Sequence, residues 1–295
     1  MRIALCYSGR PRDYRQCFEN HQNTFGLGKD NVDVFAHLWF DEELSGKPFR
    51  PDAPQQGCWP GSNLKTWVER NWKPKKVVYE KQTDDLFKEM YPNWNEAHER
   101  LDPVPGMHQK DHQLSMFYGI KKVMEMKQEY ERENNFKYDF VVRLRTDFVA
   151  VANFGDLEKY DKDKLHVSHY NATALINQYR PGTWVEDLGI AERYIVDIFA
   201  MGGSDAMDKF AKVYDNIPLM MEFEYPMHSS DVLIGYNTFL LEKIPTKRHK
   251  SWVYKIYPQA EVYYEDSEGD HALHGGRYPG NYGIMDWKER LWNDY

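Results

Sequence analysis

No apolar run in this sequence approaches the roughly 18–20 residues that a membrane span requires, so no transmembrane segment is expected. Cysteine is scarce: Cys6, Cys17 and Cys58 are odd in number and include no Cys-x-x-Cys, which indicates neither a disulfide framework nor a zinc site. Basic residues are outnumbered, with 38 Lys+Arg against 46 Asp+Glu and a formal net charge of −8. A nucleic-acid surface needs clustered Lys and Arg to displace counterions, so no nucleic-acid partner is expected. Glycine (19) and proline (15) are too few for a collagen-like or disordered chain. There is no internal repeat and no low-complexity segment. Met1 to Tyr7 runs straight into an apolar strand pattern without the architecture of a leader peptide. These absences lead to the expectation of a soluble globular protein of a reducing compartment, the cytoplasm.

What is abundant is aromatic. Tyr (21), Phe (15) and Trp (9) make up 15% of the 295 residues, enough material for a substantial core in one large domain. The pattern opens with a short strand, Arg2–Tyr7, a turn Ser8-Gly9-Arg10-Pro11-Arg12, and a helical stretch from Asp13 to Thr24. Further strands are expected at 32–39, 76–79, 138–151, 164–169, 194–201 and 260–264. The clearest helix is 113–134, with Met116, Ile120, Val123 and Tyr130 on one face and Lys121, Lys122, Glu125, Glu129 and Glu131 left for solvent. Ser204 is placed to cap a helix from Asp205 to about Tyr214, and another helix should run from Ser230 to Glu242. Proline-punctuated stretches at 41–73 and 88–112 read as loop-rich insertions. Strands alternating with helices imply an α/β fold: a single domain, 1–295, with a mostly parallel central sheet flanked by helices.

Four places could carry chemistry. In the strand ending at Asp147, alternation puts Arg143, Arg145 and Asp147 on one face and Val142, Leu144 and Phe148 on the other. Charges in an apolar strand are costly unless paired, so this trio reads as an active-site rim or as a structural Arg–Asp pair. The turn holding Ser8, Gly9, Arg10 and Arg12 could receive a phosphate on its backbone amides and guanidinium groups, or could be a solvated turn; it is neither a Walker loop nor Gly-x-Gly-x-x-Gly. The loop 269–277 sets His271 and His274 three apart beside glycines, a possible metal donor pair or a surface pair. Asp231 falls at a helix start, where it could serve as a catalytic base, as an acceptor ligand or as part of the cap.

Taken together, Ser8-Gly-Arg-Pro-Arg12, Asp33-Val-Phe-Ala-His-Leu-Trp39, the helix near Ser115-Met-Phe-Tyr118, Tyr138-Asp139 with Arg143-Leu-Arg-Thr-Asp147-Phe, and Asp197-Ile-Phe-Ala-Met-Gly202 resemble a family of nucleotide-sugar-dependent glycosyltransferases with the GT-A fold. That family occurs among bacterial surface-polysaccharide genes and in large DNA viruses. The resemblance implies a hexosyl- or pentosyltransferase taking a nucleotide-sugar donor and a glycan or glycoprotein acceptor. It places Ser8, Gly9, Arg10, Arg12, Ser115, Arg143 and Arg145 near the nucleotide sugar. The acid that opens the acceptor-side helix corresponds to Asp231. Members typically hold a divalent cation, Mn2+ or Mg2+, on an Asp-x-Asp motif, and here only the last carboxylate survives, as Asp147. A C-terminal histidine often completes the metal shell, which makes His271 or His274 the candidate, while Arg145 could neutralise phosphate charge itself. Two other readings differ in what they require. A nucleotidyltransferase would carry a Gly-rich opening, whereas a non-enzymatic carbohydrate-binding or viral structural protein would not need the arginines and Asp147 to converge.

Overall fold

The computed structural model describes residues 1–48, 58–83, 85–101, 110–150, 157–169, 194–225, 227, 229–250, 253–255, 262–265 and 271–274. Apolar runs form the first two strands, β1 (Ile3–Gly9) and β2 (Val32–Trp39), linked by helix α1 (Phe18–Phe25). After β2 come α2 (Leu64–Asn71), β3 (Lys76–Glu80), α3 (Asp85–Met90), α4 (Trp94–Leu101) and the long α5 (Lys110–Asn134). The chain returns through β4 (Phe140–Leu144), β5 (Phe148–Ala150), β6 (Leu165–His169) and β7 (Phe199–Gly202). Helices α6 (Ser204–Phe210), α7 (Ile217–Glu222) and α8 (Ser230–Tyr236) precede β8 (Thr246–Lys250), β9 (Val253–Lys255), β10 (Val262–Glu265) and β11 (His271–His274).

Seven strands make one sheet in the order β3-β2-β1-β4-β7-β6-β8. β1 is parallel to β2 and β4, β2 to β3, and β6 to β8, while β7 runs antiparallel to both its neighbours. The expected α/β class with a mostly parallel, helix-flanked sheet is what the structure has. Alternation along the strands divides the apolar residues into two layers. Ala4, Cys6, Phe35, Trp39 and Val141 face α5, whose Leu114, Phe117, Ile120, Val123 and Met124 are buried against them. Leu5, Tyr7, Val34, Leu38, Val142 and Leu144 face the other way, towards α1 and α2. Burying both faces of the central strands supplies the main stabilising term.

Several expectations change. The stretches read as loop-rich contain α2 and α4, the end of α3 and the start of α5. In α2, Leu64 and Val68 are one turn apart and both buried, and Trp72 just beyond stacks on Tyr7 at 4.3 Å, so the aromatics find their packing on the sheet. The first helix starts at Phe18 rather than Asp13, after a turn in which Asp13 has φ 47. The strand expected over 138–151 is interrupted at 145–147, where the Arg145 N–H donates to the Ile198 carbonyl and the chain leaves the main sheet before β5 pairs with β9. The strand expected from Tyr194 begins only at Phe199, because the backbone before it is bound to Asp231. Ser204 is the first residue of α6, not its cap; Gly203 caps, and a Cβ on Gly203 would lie 2.6 Å from the Lys162 carbonyl. α8 ends at Tyr236 and continues as a π-helical turn, Asn237–Leu241. Glu131, assigned to solvent, is buried beside Lys127. Among the described residues, no helix is long and apolar enough to cross a membrane.

Candidate active site

Strand order places β2 and β4 on opposite sides of β1, so successive connections diverge there, beyond the carboxyl ends of β1 and β4. Open α/β sheets bind ligands at such a switch point. Ser8 and Gly9 end β1, and Gly9 has φ +117, a left-handed value that lets the chain turn out of the strand without side-chain strain. Arg143, near the end of β4, is 1% exposed; its Nε donates to Ser8 Oγ at 3.2 Å, and Nη1 contacts the Asp197 carbonyl oxygen. Its Nη2 is buried and has no partner among the described residues.

Just past β4, Arg145 grips Asp147 with two bonds, Nε to Oδ1 at 2.9 Å and Nη2 to Oδ2 at 2.7 Å, and reaches Asp197 Oδ2 with Nη1 at 3.1 Å. Asp147 is 2% exposed. Thr146 Oγ1 between them donates to the Arg10 carbonyl, tying the β4 end to the β1 turn at 3.1 Å. Arg10 donates through Nε and Nη2 to Gln82 and lies over Trp59. Burial pushes Arg10 down to about 10, with the like charge of Arg12 adding to it, and burial also pushes Arg143 down to about 10. Arg12 is lowered by burial despite the opposing field of Asp147. Burial acts against the charge of Arg145 too, but Asp147 and Asp197 outweigh it and hold that guanidinium above its ordinary value.

Facing this group is the start of α8. Ser229 Oγ caps the helix by accepting from Val232 N–H at 3.4 Å, so the Asp231 carboxyl group is free for other partners. Its Oδ1 accepts from Asp197 N–H at 2.7 Å and its Oδ2 from Tyr194 O–H at 2.8 Å. Burial and the Asp197 carboxylate push Asp231 up to about 7, against the pull of those donors and of Arg145. A carboxyl group poised near neutrality can take a proton in a reaction.

The structure therefore brings Ser8, Arg10, Arg12, Arg143, Arg145, Asp147 and Asp231 into one connected neighbourhood. Ser115 lies behind it on α5, its Oγ donating to the His112 carbonyl and its own carbonyl accepting from Trp39 Nε1. His271 and His274 are the first and last residues of β11, opposite Glu265 and Val262, where a loop was expected. Among the described residues, no group of three or more His, Cys, Asp or Glu is arranged to hold a metal ion. Asp147 fits a divalent cation poorly on its own chemistry, because the Arg145 guanidinium sets a full positive charge against both its oxygens.

Sequence reasoning missed Tyr194, Gln82 and the pair His37–Glu80. His37 is 1% exposed; it is the register partner of Ser8, and its Nε2 bonds Glu80 Oε2 at 2.8 Å while Nδ1 is buried without a partner among the described residues. A Cβ at Gly119 would lie 3.4 Å from that Nδ1, so the glycine keeps the space beside it open. Asp197 lay in a recognised motif, but its role in bridging Arg145 and Asp231 had no sequence signal.

No protein-family model matches the chain, and no curated protein matches its sequence. Among solved structures it is similar to an active-site mutant of LgtC, with 11% identity over 84% of this chain and 72% of that one, at a TM-score of 0.40. It is also similar to mouse xyloside xylosyltransferase 1 in its apo form, with 9% identity over 84% of each chain, again at 0.40. Likeness at this level carries no argument about activity, which rests on the site residues themselves.

Proposed function

We propose that this chain is a glycosyltransferase that moves a hexosyl or pentosyl group from a nucleotide-diphosphate sugar to a hydroxyl of a glycan or glycoprotein acceptor. The observation that carries this reading is the convergence, at one switch point, of a carboxyl group raised to about 7 with the buried Arg143 and the half-buried Arg10, Arg12 and Arg145. The arginines suit a diphosphate and the carboxyl group suits an acceptor hydroxyl. Ser8, Gly9, Arg10, Arg12, Arg143 and Arg145 serve the donor, with Ser115 supporting them from α5. Asp231 is the base. Tyr194 and the Asp197 amide fix its orientation and leave lone pairs open on both oxygens.

In the reaction the acceptor oxygen attacks the anomeric carbon, and the bond from that carbon to the diphosphate oxygen breaks with its electron pair leaving on the diphosphate. The acceptor proton passes to Asp231. A single displacement of this kind inverts the anomeric centre. The Mn2+ or Mg2+ implied by the resemblance is not assigned a step, since Asp147 is already committed to Arg145.

A thermal-shift screen with UDP, GDP, CMP and their sugars tests the reading. A ligand that binds only the folded chain raises Tm, and the matching nucleotide sugar should then be consumed with release of nucleoside diphosphate, or of CMP from a CMP-sugar. A screen in which no nucleotide moves Tm and no donor is consumed would remove this proposal.

A further inference from the structure

Resting on the transferase reading above, we propose that Asp147 is a positioning residue for Arg145 rather than a metal ligand. The leaving diphosphate is then held by the guanidinium groups of Arg12, Arg143 and Arg145, with no divalent cation.

Hard divalent cations are bound through oxygen lone pairs. Each oxygen of Asp147 accepts from the fork of Arg145, at 2.9 and 2.7 Å, and the carboxylate is 2% exposed, so a divalent cation there would lie directly against a full positive charge. A cation entering there would displace a guanidinium that already supplies positive charge at that place. The arginines, in turn, have bonds to give. A guanidinium carries five N–H donors. Arg145 spends three in its bonds to Asp147 and Asp197, and Arg143 spends Nε on Ser8 and Nη1 on the Asp197 carbonyl.

The remaining Arg143 Nη2 is buried with no acceptor among the described residues, a costly state that an anionic oxygen would relieve. Arg12 lies within the field of both Asp147 and Arg145, so it belongs to the same cluster. Guanidinium groups bind phosphate oxygens in charge-assisted, often bidentate bonds, and their charge is in place before the reaction begins. When the anomeric carbon–oxygen bond breaks, the electron pair stays on the diphosphate oxygen, which these N–H groups stabilise without protonating it. The acceptor proton goes to Asp231, as above.

The test uses the full chain and inorganic pyrophosphate as probe, with binding read by calorimetry and by Tm. Pyrophosphate should bind and raise Tm in EDTA, with little change when Mg2+ or dilute Mn2+ replaces the chelator. In EDTA, Arg145→Lys should weaken binding about tenfold or more through loss of the fork geometry. Arg12→Gln, which leaves the Arg145–Asp147 pair intact, gives a second measure if Arg145→Lys folds poorly. Binding that appears only with the cation, or no binding at all, would overturn the proposal. So would wild-type affinity in both folded variants. Pyrophosphate binding in EDTA without turnover of any nucleotide sugar would support the anion site and remove the transferase reading. Turnover that strictly needs the cation would do the opposite.

Discussion

Two clusters of buried charge lie at opposite ends of β4, and they are built on different terms. At its amino end, Lys127 of α5 is 0% exposed and places its ammonium on Glu131 Oε2 (3.0 Å), Ser204 Oγ (2.6 Å) and Asp208 Oδ1 (2.6 Å). An ammonium has three donors, and all three are used. Glu131 Oε1 accepts in turn from the Ser204 hydroxyl and from Tyr138 N–H. At the carboxyl end, Arg143 Nη2 has no partner among the described residues, Asp197 and Asp231 repel each other, and Asp231 is raised towards neutrality. A fully satisfied network fixes α5 and α6 to the sheet. An incomplete one keeps capacity for a group that arrives from outside.

The largest expected effect breaks the satisfied cluster. Lys127→Met leaves Glu131 and Asp208 only the exposed Lys137, at 4.0 and 3.5 Å, and should cost about 3 kcal/mol of stability, the lower end of the usual penalty for removing one partner of a buried ion pair. Denaturant unfolding measures it. If the comparison holds, turnover per folded molecule in that variant should stay near wild type.

Asp231→Asn should act in the opposite sense. Turnover should fall by about 10²–10⁴-fold, as for loss of a general base, while Tm at neutral pH holds or rises because a repulsive charge is gone. The pH dependence has a definite sign. Asp231 is raised in the folded state, so it contributes stability that is fully present below its unfolded value and is lost as pH rises through about 7. Wild type should therefore lose stability across that window, and Asp231→Asn should lose less. Unfolding midpoints measured from pH 4 to 8 check the difference, and equal slopes would break the contrast between the two clusters.

The smallest effect sharpens it. Ser229→Ala removes a long cap bond of 3.4 Å and should cost about 0.5–1 kcal/mol. If Asp231 serves chemistry rather than the cap, Asp231→Asn should not reproduce that loss in thermal melts.

Much of the fold was legible because it is written in local apolar pattern. β2 runs over the expected residues 32–39, β1 and β3 extend theirs slightly, and α5 follows the periodicity from Met116 to Tyr130. The helices at 64–71 and 94–101 were hidden because prolines and isolated tryptophans around them obscured two short turns of helix. In the candidate site, Arg143, Arg145 and Asp147 stood out as charges in an apolar strand, and Asp231 stood out at a helix start. Their partners did not.

By itself the sequence determined the strands β1, β2, β3 and β6, which face of the long helix is apolar, and where charge interrupts the apolar pattern, since these depend on side-chain periodicity over a few residues. Tertiary structure alone decided that Lys127 and Glu131 go inside rather than to solvent, that Asp197 joins Arg145 to Asp231, and that His37 meets Glu80. The physical reason is distance along the chain. Lys127 meets Asp208 across 81 positions, Arg145 meets Asp197 across 52, and His37 meets Glu80 across 43. Burying a charge depends on a partner that local pattern cannot name, and only the closed sheet brings that partner within bonding distance.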